Sequence, residues 1–155
     1  MKGRAVAEAS LEVDVLANST LWRGHEDLLC KALAAAAQAE GKSGTVSLLL
    51  GDDASIAGLN QQFRAKAGPT NVLSFPPAPG TSEPGFLGDI ALAAETIVEQ
   101  AQFQGKRFEI HAAHLVVHGF LHLIGYDHEK LADAEVMEAR ERTILASLGI
   151  EDPYA

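Results

Sequence analysis

Apolar and polar positions follow a period of two over residues 11–17. There Leu11, Val13, Val15 and Ala17 alternate with Glu12, Asp14 and Leu16, the pattern of a half-exposed strand. The pattern changes at 24–40, an Ala- and Leu-rich stretch closed by Gly41, which reads as a helix with a glycine stop. Residues 45–50 read as a second strand. Asp52 or Asp53 supplies the cap for a helix that runs to about Arg64 and is broken by Gly68-Pro69. Short apolar runs at 71–75 and 87–92 predict two more strands. Between them, 76–86 holds four prolines and two glycines and reads as a loop. Helices are predicted at 93–104, stopped by Gly105, at 109–124, stopped by Gly125, and at 130–148, amphipathic and stopped by Gly149. Strands and helices partly alternate and partly segregate. The expected class is α+β, a small mixed β-sheet covered by helices. Strand order does not follow from the pattern.

Composition narrows the possibilities. The 155 residues suit one domain over 1–155, and 47% hydrophobic content permits a core without disulfides. Cys30 is the only cysteine, so no internal disulfide can form; within its Ala/Leu-rich helix it reads as a core residue. Any metal must then be held by His or carboxylate side chains. The first twenty residues do not read as a signal peptide, and the longest apolar runs are too short to cross a bilayer. A cytoplasmic protein is expected. The net charge of −9 excludes a general nucleic-acid binder with a basic surface, so any nucleic-acid role must rest on a local positive patch.

Four of the six histidines lie in the predicted helix 109–124. His111, His114, His118 and His122 fall within a stripe about 80° wide at ~100° per residue. His118 and His122 are spaced i, i+4, which puts their imidazoles on adjacent turns of one face. Gly125 can adopt the left-handed conformation that ends a helix and turns the chain back, bringing in His128 as a third ligand. Three His ligands leave a fourth tetrahedral position open, the layout of a catalytic zinc site rather than a closed structural one. One zinc ion per chain is expected. His111 and His114 either extend this site or serve the fold. Asp127 either orients a ligand imidazole or is an ordinary turn residue.

The spacing equals the HExxHxxGxxH of metzincin proteases, in which the Glu after the first His is the general base. Gly119 occupies that position here, and glycine cannot take a proton. The metal site remains while the peptidase base is missing.

The run His118-Gly119-Phe120-Leu121-His122-Leu123-Ile124-Gly125-Tyr126-Asp127-His128 resembles the HGxLHLxGYDH motif of the YbeY family, bacterial rRNA-maturation endoribonucleases. Residues 59–76, LNQQFRAKAGPTNVLSFP, resemble that family's LNxxYRxKDxPTNVLSFP, and Leu87-Gly88-Asp89-Ile90 resembles its LGDI strand. The resemblance spans about 59–128; the first 45 residues match only in general pattern.

The resemblance implies an α+β fold with a zincin-like three-His zinc site in a cleft. It implies a single-strand-specific, metal-dependent endoribonuclease acting in 16S rRNA 3′-end maturation and ribosome quality control. Expected partners are ribosomal RNA and the ribosome or small-subunit assembly factors, not DNA or a membrane. It also implies that Arg64 is catalytic or substrate-binding. That assignment agrees with chemistry, since a guanidinium clamps a phosphate through two parallel hydrogen bonds. Lys66 is a second candidate phosphate contact and His114 a candidate base. Lys106 and Arg107 are candidates for local positive charge, and loop 76–86 for lining or gating the cleft. Ala67 stands where the family has an acidic residue, so whatever that acid holds must be held otherwise here. The nucleophile, water or the RNA 2′-OH, stays open. The rival readings are a zinc peptidase or other zinc hydrolase, and a non-catalytic ribosome-associated factor.

Overall fold

The structure is a computed structural model that describes residues 3–7, 11–64, 70–78, 80 and 84–154, with the side chains of 3–7, 63 and 64 excepted. Five strands form one mixed sheet. They are β1 (Gly3–Ala7), β2 (Leu11–Ala17), β3 (Gly44–Gly51), β4 (Val72–Phe75) and β5 (Phe86–Ala93), in the order β1-β2-β3-β5-β4. β2, β3 and β5 run parallel, and the two edge strands run antiparallel to their neighbours. The helices are α1 (Glu26–Ala39), α2 (Asp53–Arg64), α3 (Ala94–Gln104), α4 (Phe108–Leu123) and α5 (Leu131–Ser147). The expected α+β class and mixed sheet are found, and the predicted elements recur within a residue or two. Strand β1 was not anticipated, because Gly3–Ala7 carries no periodic signal.

Alternation along the strands assigns each face. Leu11, Val13, Val46, Leu48, Leu50, Ile90 and Leu92 point to one side, where they pack in a single core with residues of α1, α3, α4 and α5. Ala91, Ala93 and Leu73 point to the other side and meet Ile56 of α2. Helices α2 and α4 therefore lie on opposite faces. Both aspartates proposed as the α2 cap are used, for different helices. Asp52 Oδ1 accepts the Ser55 N–H at 2.8 Å and caps α2. Asp53 accepts the Thr96 N–H and hydroxyl, both at 2.9 Å, and so caps α3.

Two glycines let the C-terminal half of α4 sit close to the β4–β5 edge. A Cβ on Gly119 would lie 3.0 Å from Ser74 Oγ and 3.2 Å from Ile90 Cγ2. Gly88 has φ +137°, and a Cβ there would lie 2.7 Å from both the Phe75 carbonyl oxygen and Leu123 Cδ2. Only glycine fits both the conformation and the space at Gly88. The Ser74 hydroxyl donates to the Gly119 carbonyl at 3.0 Å, fastening helix to strand at the turn that carries His118 and His122. Among the described residues, no helix is long and apolar enough to cross a membrane.

Candidate metal centre

His118 and His122 stand one turn apart near the end of α4, with ring centroids 4.7 Å apart. The helix then closes in a Schellman motif. The Tyr126 N–H reaches the Leu121 carbonyl at 3.0 Å and the Gly125 N–H reaches the His122 carbonyl at 3.1 Å. Gly125 takes φ +110° to allow it. The reversal brings His128 to 5.2 Å from His118 and 4.8 Å from His122, centroid to centroid. One ligand nitrogen from each of the three lies within 4.8 Å of the others, so the group could hold a metal ion. Burial, aided by His118 and His128, pushes His122 below the ordinary histidine value and favours the neutral imidazole that a metal requires.

The loop bearing His128 is braced twice. Asp127 Oδ1 accepts the N–H of His128 at 2.6 Å and that of Glu129 at 3.1 Å, so its carboxylate shapes the turn. The Tyr126 hydroxyl donates to Glu40 Oε1 at 2.7 Å, and Arg140 Nε donates to Glu40 Oε2 at 2.6 Å. The C-terminus of α1 and the middle of α5 are thus tied to this loop.

His118 is oriented by a group not singled out in the sequence. Its Nδ1 lies 2.7 Å from Glu141 Oε2, which leaves Nε2 free to face an ion. Ligand, imidazole and carboxylate in line fix the ring and raise its basicity. Glu141 is fully buried. Burial pushes its carboxyl up, but hydrogen bonds from His114, His118 and Tyr154 outweigh that and hold it at about 2. One sequence signal does mark it. The buried positions of α5 are Met137, Glu141, Ile144 and Leu145, so the carboxylate sits inside the apolar stripe. A charge there calls for a buried partner.

The other candidates are placed as follows. His114 does not line the cleft; its Nε2 lies 2.8 Å from Glu141 Oε1, on the oxygen opposite His118. Buried His111 donates through Nε2 to Gln100 Oε1 at 2.9 Å, and Asn71 donates to the same oxygen at 3.0 Å. Burial, with His114 and Lys106 nearby, lowers His111 to about 4, so it serves the fold as a neutral ring. Arg64 is the last residue of α2, and Thr70, six positions later, lines the cleft. Lys66 and Ala67 lie outside the described residues.

The three histidines open into a cleft of about 570 Å³ walled by Thr70, Asn71 and the β4 strand on one side and by Asp127 and Glu129 on the other. Pro76, the first residue of the predicted loop, also lines it. Among the described lining residues there is no Lys or Arg. Lys106 and Arg107 precede α4, about 16–18 Å from His118 by helical rise, and are engaged elsewhere. Lys106 donates to the Pro153 carbonyl and Arg107 pairs with Glu109. Neither residue lines the cleft.

Space for a protease base is also missing. The Cβ direction at Gly119 is blocked by Ser74, Ile90 and Val72. A Gly119→Glu protein is expected to lose at least ~3 kcal/mol, from overpacking plus a buried unpaired carboxylate, and to gain no peptidase activity. Thermal melts and a casein assay check this; a stable, casein-cleaving variant would show that the position faces the cleft.

Comparison with known proteins follows the same lines. The family model described as endoribonuclease YbeY matches residues 14–149. The endoribonuclease YbeY of Methylocella silvestris is 46% identical over 149 residues, covering 92% of this chain and 85% of that protein. That of Rhodopseudomonas palustris strain HaA2 is 48% identical over 157 residues, covering 92% and 80%. A solution structure of a Thermotoga maritima protein superposes with a TM-score of 0.56 at 26% identity, covering 88% of this chain and 91% of that one.

Proposed function

The chain belongs to the endoribonuclease YbeY family, and from that premise we propose that it is a zinc-dependent, single-strand-specific endoribonuclease that matures the 3′ end of 16S rRNA and acts in ribosome quality control. The observation that carries the metal part of this reading is the His118–His122–His128 group at the wall of a cleft, with His118 Nδ1 held by a buried carboxylate. Three neutral imidazole nitrogens suit zinc. When bound, zinc supplies a Lewis acid and lowers the pKa of a coordinated water to about 7.

The protein's own groups have separate tasks in this reading. His118, His122 and His128 hold the ion. Glu141 keeps the Nδ1 proton of His118 in place, and His114 steadies Glu141 from its other oxygen. Arg64 clamps the scissile phosphate and stabilises charge on its non-bridging oxygens, with Lys66 as a second phosphate contact. The β4 edge and Asn71 align the strand of RNA along the cleft. A net charge of −9 and an acidic cleft rim leave little general attraction for phosphate. Affinity for arbitrary RNA is therefore modest, and the ribosome or a small-subunit assembly factor supplies the context.

The test is cleavage of a labelled single-stranded rRNA fragment by the zinc-loaded protein and its Arg64→Ala variant, with zinc measured in each sample. Arg64→Ala is expected to keep its zinc and its fold while losing about a hundredfold in kcat/KM, the scale of one lost charge-stabilising donor. Equal cleavage by both proteins would sink the role of Arg64. Loss of zinc along with activity would sink the division of labour.

A further inference from the structure

We infer that the carboxy-terminal segment Asp152–Tyr154 belongs to the support of the metal centre, with Tyr154 a positioning residue that acts through Glu141 on His118. The inference rests on the reading of the three histidines as metal ligands.

Glu141 has two oxygens and three side-chain donors. Oε2 takes His118; Oε1 takes His114 and the Tyr154 hydroxyl together. The same hydroxyl lies 3.2 Å from His114 Nε2, and the two rings meet edge-on with centroids 5.3 Å apart. Tyr154 is thus the one group on this carboxylate that comes from neither α4 nor α5, the two helices it joins. Its own position is over-determined. The Tyr154 N–H donates to Asp152 Oδ1 at 2.8 Å, and Arg142 Nε donates to Asp152 Oδ2 at 3.0 Å. The Arg142 guanidinium lies 5.4 Å from the Tyr154 ring centre, and Lys106 Nζ donates to the Pro153 carbonyl at 3.1 Å.

The physical consequence concerns the carboxylate. A glutamate has three rotatable bonds, and each donor on its oxygens narrows the freedom of the carboxylate. With the hydroxyl removed, Oε1 keeps a single donor, His114, which also loses its own contact with that hydroxyl. Oε2 then wanders relative to His118 Nδ1, and the ligand nitrogen wanders with it.

The experiment uses the full chain and Tyr154→Phe, which keeps the ring, its packing and the cation contact and removes only the hydroxyl. Zinc affinity is measured by competition with a chromophoric chelator. The visible absorption of the Co²⁺-loaded protein is recorded, and the metal-free protein is melted. The expected result is zinc bound about tenfold more weakly, at the low end for groups that orient a metal ligand, with an altered Co²⁺ spectrum. Arg142→Ala, which loosens the segment without touching Glu141, is expected to move affinity the same way by less. Unchanged zinc affinity and Co²⁺ spectrum in Tyr154→Phe, with or without a lower Tm, would confine the segment to folding and overturn the inference. Failure of the metal reading itself is distinguishable, because the wild type would then bind no zinc in a one-to-one ratio.

Discussion

Replacing His122 by alanine is expected to remove zinc from the purified protein and to reduce RNA cleavage to background, while the fold survives. His122 stands between the other two members of the group, 4.7 Å from His118 and 4.8 Å from His128, ring centre to ring centre. Two nitrogens that remain without it cannot complete a three-ligand tetrahedral site. The loss of affinity should exceed the ~10–100-fold typical when only a ligand's hydrogen-bonding partner is removed. The fold has little reason to fail. Alanine is the best helix former, and His122 lines an open cleft rather than the core. Metal analysis and circular dichroism on the same sample check both halves. A His122→Ala protein that keeps one zinc per chain would place the ion elsewhere.

Glu141→Ala is expected to damage stability and the metal centre together. The carboxylate is fully buried and accepts from His114, His118 and Tyr154. Removing it takes the shared acceptor from three donors and leaves a cavity at a fully buried position. Lost hydrogen bonds together with a cavity in the interior cost roughly 3–5 kcal/mol. For a chain of this size that is a fall in Tm of about 6–20 °C. Zinc affinity should drop ~10–100-fold as His118 loses the group that orients it. Glu141→Gln separates the two effects. It keeps the volume and one oxygen for His118, so the melting temperature should recover more than the affinity. If Glu141→Ala melts like the wild type, the carboxylate is solvated in solution and the bracing role fails. The paired design also bears on the Tyr154 inference, since Tyr154→Phe should do little further in a protein that already lacks Glu141.

The chain's local signals were reliable where geometry is short-range. Gly41, Gly105, Gly125 and Gly149, read as helix stops, all adopt positive φ. The i, i+4 spacing of His118 and His122 and the reversal at Gly125 require only residues within eleven positions of one another. A helix of fixed pitch and a Schellman closure then bring three imidazoles together. That part of the site was legible because backbone geometry alone determines it.

The rest depended on packing between distant segments. Strand β1 has no periodicity of its own and exists through its antiparallel pairing with β2. Asp52 and Asp53 were interchangeable as caps in the sequence; only the contact of α2 with the start of α3 sends Asp53 to Thr96. Lys106 read as a candidate for local positive charge near the site, yet a tertiary contact directs its ammonium to the Pro153 carbonyl. His114 lay on the same stripe as the ligands, but its place depends on Glu141, twenty-seven residues later. The sequence by itself determined the elements other than β1, the three-His triad and the missing protease base at Gly119. The tertiary structure alone decided which carboxylate holds His118 and how the end of the chain reaches it. The reason is physical: a helix sets the spacing of its own side chains, whereas the partner of a buried charge is chosen by whichever segment the core packs against it.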